Sequence, residues 1–196
     1  MSMTPALEIG IWNAWTLIVA FYLAMFIPNI VLGREAMKRT KRMNSFPPLS
    51  KFEKILALMT HVVLMPFVLI YAVFLPLKTG TAWLFAGLLI YAVSTVISVA
   101  TLFNVAATPV DKPVTRGAYW FSRNPMYLSG FLLFVGVGLA SVSWIVMLCG
   151  ALWAILWQIV IPAEERFLLE KYGDSYRKYM SRTPRWIGIP GTVFRI

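Results

Sequence analysis

Uncharged apolar blocks alternate with polar, basic stretches along this chain. Residues 9–32, 55–77 and 81–107 contain no Asp, Glu, Lys or Arg. Each exceeds the roughly 20 apolar residues that a helix needs to cross a bilayer. Pro28 is expected to kink or end the first of these helices near its last turn. The last block, 127–162, runs 36 residues without a charge. As one straight helix it would reach about 54 Å, against a hydrocarbon core of about 30 Å. Two helices are more economical, and Ser141-Val142-Ser143, just past Gly136 and Gly138, is the expected break. The pattern predicts an all-α integral membrane protein of five transmembrane helices in one membrane domain. The fourth (about 125–140) and fifth (about 144–161) form a tight helical hairpin, and a C-terminal amphipathic cytosolic segment follows.

Composition agrees. Of 196 residues, 59% are hydrophobic and 13% charged, where soluble domains carry about 25% charged residues. The net charge of +10 would suggest nucleic acid in a soluble protein. Here it lies beside apolar blocks, so topology is the first explanation, and no nucleic-acid partner is expected. Seven Lys/Arg lie in the stretch 33–54, three in 111–124 and seven after the fifth block, which leaves only Lys78 elsewhere. Five spans put all but Lys78 on one side; four would place the tail opposite the 111–124 loop. The positive-inside rule then sets the N-terminus outside and the basic loops and C-terminus in the cytosol. The first basic stretch is expected to contact anionic lipid and to turn at Phe46-Pro47-Pro48. No basic region precedes the first apolar block, so no cleaved signal peptide is expected. The one cysteine, Cys149, excludes an intramolecular disulfide and a cysteine-based metal site, and no metal is expected.

Two polar islands interrupt the apolar sequence. The first runs from Arg116 to Tyr127 and contains Asn124-Pro125. Asn is a favoured N-cap, and Pro suits the first helical position. The N–H groups of Met126 and Tyr127, with Arg116 and Arg123 nearby, suit an anionic group. The second island is Glu164-Glu165. The expectation is that the two meet at one end of the bundle and hold a charged cofactor. His61 lies inside the second apolar block. An ionisable residue in a span is a functional candidate by default, although a neutral His with one hydrogen bond is the commoner case. Trp144, Trp153 and Trp157 read as packing and interface anchors, and Gly130, Gly136, Gly138 and Gly150 as close-packing positions.

Taken in order, Gly117-Ala118-Tyr119, Arg123-Asn124-Pro125-Met126-Tyr127, an apolar pair of helices, Glu164-Glu165 and Tyr172-Gly173-Asp174-Ser175-Tyr176-Arg177-Lys178-Tyr179 resemble one family. It is the integral-membrane methyltransferases that include isoprenylcysteine carboxyl methyltransferase and the phospholipid N-methyltransferases. The resemblance covers about residues 85–186; the first two spans carry no matching motif. It implies an S-adenosylmethionine site, with cofactor contacts at Val114, Tyr119, Asn124, Pro125, Tyr127 and the pair Glu164 and Glu165, of which Glu164 is favoured. The chemistry is compatible. The cofactor's carboxylate suits a helix N-terminus, its ammonium and ribose hydroxyls suit carboxylates, and its adenine suits an aromatic face.

Two departures bear on the reaction. The family usually has Arg-His-Pro where this chain has Arg-Asn-Pro, and Asn124 is no acid or base. The isoprenylcysteine branch looks to have an Arg four residues before the cofactor Glu, where this chain has Val160. That favours a lipid amine, a thiol or another apolar, membrane-partitioned acceptor over a prenylcysteine-like carboxylate. Glu164, Glu165 and Tyr127 are the candidates for accepting a proton, and Glu164 and Tyr127 the expected catalytic residues. Membrane sterol reductases, which use a nicotinamide cofactor, look similar over the same half but are usually much longer. A relative that has lost catalysis is the third reading.

Overall fold

The computed structural model describes residues 7–41 and 49–188, apart from the Asn29 side chain. The expected turn at Phe46-Pro47-Pro48, together with Arg42 and Arg195 of the basic clusters, lies outside the described residues. Those residues form helices and no strand, with one isolated antiparallel bridge between Asn13 and Pro76.

Helix α1 is Trp15–Val31 and α2, short and exposed, is Arg34–Thr40. Next comes one continuous helical stretch, Lys51–Val73. Its first part, α3 (Lys51–Leu58), opens on a capping box in which Ser50 and Glu53 satisfy each other's backbone N–H. Its last part is α4 (Met65–Val73), and between them Met59–Leu64 is π-helical. Pro66 has no N–H and its ring disfavours a regular turn before it. The Met65 N–H reaches back five residues to the Thr60 carbonyl. Helix α5 is Ala82–Ala107, capped by Thr81, and α6 is a single turn, Ala118–Phe121. Helices α7 (Pro125–Ala140) and α8 (Trp144–Tyr172) divide the long uncharged block at Ser141–Ser143, where Val142 takes a left-handed φ of 51°. Helix α9 is Asp174–Met180.

Three of these stretches are long and apolar enough to cross a membrane: Lys51–Val73, Ala82–Ala107 and Trp144–Tyr172. Trp15–Pro28 and Pro125–Ala140 are apolar but shorter. The chain is an all-helical integral membrane protein.

Small residues let the helices close on one another. A Cβ at Gly87 would overlap the backbone of Gly136 and Ala140, and one at Gly136 would meet Tyr91. Backbone-to-backbone contact of this kind joins α5 to α7. Ser94 Oγ donates to the Ser129 carbonyl (2.8 Å) and Ser98 Oγ to Ser129 Oγ (2.7 Å), hydrogen-bonding the same two helices. Helices α7 and α8 run antiparallel, with Gly130 against Trp153, Phe134 against Gly150 and Gly138 against Met147.

Hydrogen bonds and an ion pair define the two ends. At one, Ala14 N–H donates to the Leu75 carbonyl and Lys78 N–H to that of Ala140. At the other, Arg39 reaches the Ala106 carbonyl and Arg166 pairs with Glu53. That second end carries α6, the start of α7, the exit of α8 and α9, and there the polar islands meet.

Candidate functional site

The site is built from three segments. The first is the approach to α7. Asn104, near the end of α5, accepts a hydrogen bond from Ala118 N–H (2.8 Å) through Oδ1. Gly117 has φ +64°, and its missing side chain makes room for Asn104. Only glycine serves both needs, so α6 is fixed in position. Tyr119 is half-buried in α6, and Val114 is half-buried in the segment before it.

The second segment is the α8 exit. Glu164 and Glu165 are neighbours on a helix and so point about 100° apart. Glu164 is half-buried and accepts a hydrogen bond from Tyr127 Oη (2.8 Å). Among the described residues no ion pair reaches it. Glu165 is 4% exposed and takes two arginines. Arg185 Nη2 lies 2.7 Å from its Oε2, and Arg123 Nε lies 3.2 Å from its Oε1 without hydrogen-bond alignment.

The third segment is the tail after α9. Arg123 N–H donates to the Pro184 carbonyl (3.0 Å) and Gly188 N–H to that of Phe121 (3.1 Å). The Arg185 carbonyl accepts from Asn124 Nδ2 (3.1 Å) and Ser122 Oγ (3.3 Å). Trp186 Nε1 donates to Gln158 Oε1 (2.6 Å) on α8. Tyr179 Oη donates to the carbonyls of Tyr119 (2.7 Å) and Ser122 (3.3 Å). Tyr176 and Tyr179 are buried, and desolvation pushes both hydroxyls well above the ordinary phenol range; each also feels the Glu165 charge.

Tyr127 connects this end to the interior. Its ring stacks on Trp157 (centroids 4.3 Å apart, 27° between planes), and Trp157 meets His61 edge-on at 5.9 Å.

The arrangement corrects two expectations. Asn124 stands at the N-cap position of α7 with Pro125 in the first turn, but its side chain makes no capping bond. Its amide is spent on the tail, so the first turn of α7 keeps its N–H groups free of a side-chain cap. Arg123, expected beside an anion, is bound to Glu165 and to the Met180 carbonyl (3.3 Å). Tyr127 and Glu164 touch directly, and Asn124 and Glu165 are joined through Arg185. Pro125 is fully buried beneath them, while Val114 has no polar group with which to reach the pair. The tail residues Arg185 and Trp186, and Asn104 on α5, were not singled out from the sequence. Asn104 carried one signal, a lone amide at the end of an apolar helix.

An all-helical membrane bundle with its polar residues gathered at one end defines the class. Comparison then places it: the family model for phospholipid methyltransferases matches residues 78–175, half of the chain, and the chain belongs to that family. It is also similar to the protein-S-isoprenylcysteine O-methyltransferase B of Arabidopsis thaliana, with 38% identity over 97 residues. That match covers 45% of this chain and 45% of the relative, so the chain aligns with under half of the relative's length.

Proposed function

We propose that the protein transfers a methyl group from S-adenosylmethionine to an apolar, membrane-partitioned acceptor. One observation carries the reading. The matched family segment contains a half-buried carboxylate, Glu164, that pairs with no cation among the described residues and is oriented by Tyr127 Oη at 2.8 Å. Leaving a carboxylate half-buried without a cation is costly, and a ligand ammonium or a pair of hydroxyls offsets that cost.

The residues fit the cofactor. Glu164 suits its ammonium or ribose hydroxyls, the uncapped first turn of α7 suits its carboxylate, and Tyr119 offers an aromatic face. Glu165 has a different role: Arg123 and Arg185 already neutralise it, so it positions the tail rather than the ligand. When bound, S-adenosylmethionine supplies a methyl on a cationic sulfur that leaves as a neutral thioether. The protein has only to align, dry and, for a protonated acceptor, accept a proton. Tyr127 and Glu164 are the pair placed for that last task.

Five crossings complete the reading. The two shorter apolar helices, α1 and α7, join the three long ones, and each connection reverses direction. The polar end faces the cytosol with 17 of the 18 Lys/Arg.

Calorimetry on detergent-purified protein tests this. S-adenosylhomocysteine is expected to bind in the micromolar range, NADPH not at all, and Glu164→Gln is expected to abolish binding. Unchanged affinity in that variant would overturn the assignment of Glu164. NADPH binding in place of S-adenosylhomocysteine would overturn the reaction.

A further inference from the structure

Helix α8 has no charged residue from Trp144 to Ala163, and Glu164, Glu165 and Arg166 follow directly. Arg166 therefore stands where the apolar part of the helix ends, at the level of lipid headgroups. Positions 155, 159, 162 and 166 fall on one stripe of a helix. Ile155 and Ile159 on that stripe are exposed, as is Arg166. At its charged end lies an open pocket of about 210 Å³. Pro162, Leu169 and Met180 give the pocket an apolar floor, and Glu165, Arg166 and Arg185 complete it.

The charges around this pocket do not cancel. Glu165 is shared by Arg123 and Arg185, and Arg166 reaches Glu53 through one contact of 3.4 Å. Three guanidiniums thus meet two carboxylates. Glu164 is turned away to Tyr127, and Glu170 is followed by Lys171 and adds no net charge. One positive charge is left over. Donors are left over too. Arg185 holds Glu165 side-on, Nε to Oε1 at 3.4 Å and Nη2 to Oε2 at 2.7 Å, so its Nη1 has no partner among the described residues. The Arg166 pair is exposed and long, a kind of contact that contributes little.

We propose that this pocket binds a net-anionic phospholipid, its phosphate held by Arg166 and Arg185 and an acyl chain laid along Pro162, Ile159 and Ile155. Guanidinium forks match phosphate oxygens. A free phosphate would leave the apolar stripe unused, and a zwitterionic lipid brings its own cation and leaves the surplus charge unanswered. The site is separate from Tyr127 and Glu164, so this lipid is a bound companion of the protein and not the methyl acceptor. The inference does not rest on the methyl-transfer reading.

The test uses the whole protein in lipid nanodiscs, with no cofactor added. The probes are phosphatidylglycerol and phosphatidylcholine carrying the same photoactivatable acyl chain, and labelled residues are mapped by mass spectrometry. Phosphatidylglycerol is expected to label Ile155 and Ile159 roughly fivefold more than phosphatidylcholine, the ratio that one uncompensated cation at a membrane surface supplies. Arg166→Gln removes the surplus charge and should bring the ratio to about one. Glu53→Gln adds a second surplus charge while keeping the capping box, and should raise the ratio about fivefold further. A misfolded variant would not give that rise. Equal labelling of the unmodified protein by both probes overturns the proposal, and so does a ratio that either variant leaves unchanged. A preference lost when inorganic phosphate replaces chloride at equal ionic strength also overturns it, since the site would then take a soluble anion. Calorimetry with S-adenosylhomocysteine has no bearing on these outcomes, so the two readings stand or fall separately.

Discussion

At the residue scale, Glu164 and Glu165 show how adjacent identical side chains take different roles. Glu165 is buried with Arg123 and Arg185, and breaking such a pair by removing one charge costs more than the pair contributes. Glu165→Gln is expected to destabilise the protein by about 3 kcal/mol, seen as a lowered midpoint in detergent melts. Glu164→Gln removes a carboxylate that pairs with no cation among the described residues, so its melt should stay close to the unmodified protein's while ligand binding is lost. Tyr127→Phe keeps the stack on Trp157 and loses only the hydrogen bond to Glu164. A hydrogen bond to a charged group is worth about 1.5–3 kcal/mol, so affinity for S-adenosylhomocysteine should fall at least tenfold by calorimetry. The sequence made the pair visible as the only acidic doublet beside an apolar block. It did not show which carboxylate the arginines occupy, because Arg185 is 20 residues away and reaches Glu165 only after the tail folds back. Asn124 repeats the point. Its local preference is to cap α7, but a carbonyl brought in from the tail takes its amide.

At the scale of elements, the apolar blocks and the break at Ser141–Ser143 were legible because charge and length constrain helices in lipid so strongly. The π-helical turn at Met59–Leu64 was not, since hydrophobic periodicity is featureless where every face is apolar. The tail helix α9 is held by side chains rather than by length. Tyr179 anchors it to α6 through the carbonyls of Tyr119 and Ser122. Tyr179→Phe should speed tryptic cleavage at Arg177 and Lys178 at neutral pH. A pH effect follows from the raised hydroxyls of Tyr176 and Tyr179. Below pH 10 they are neutral in both folded and unfolded chains and cost nothing. Above it the unfolded tail ionises first, because its phenols keep the ordinary value of about 10. The docked form therefore loses stability as pH rises. The melting midpoint should start to fall at about pH 10 and keep falling as pH rises further towards the raised values of the docked form, and less so in Tyr179→Phe, which has one fewer raised group.

At the scale of the whole molecule, the distribution of charge and the helix directions point the same way. The turn containing Lys78 bonds to Ala140 at one end, and Lys112 and Lys178 lie at the other with the polar site. If the five apolar helices all cross, Lys112 and Lys178 share a face of the membrane and Lys78 lies on the opposite face. The native thiol is a single buried cysteine, Cys149, so a Cys149→Ala background leaves a clean reporter. Cysteines placed singly at positions 78, 112 and 178 are then reacted with a membrane-impermeant maleimide in intact cells and in inverted vesicles. The position-78 thiol should react from outside the cell, and the other two only in inverted vesicles. Labelling of 112 and 178 from opposite faces would mean that α7 and α8 do not both cross. Tyr127 and Glu164 could then not share one cytosolic site, and the methyl donor would have to reach them by another route. Because α7 has only 16 residues, about 24 Å of helix, this crossing depends on the bilayer thinning or on flanking polar groups reaching the interface. Labelling at 178, the position beyond α7 and α8, is therefore the most exacting of the three.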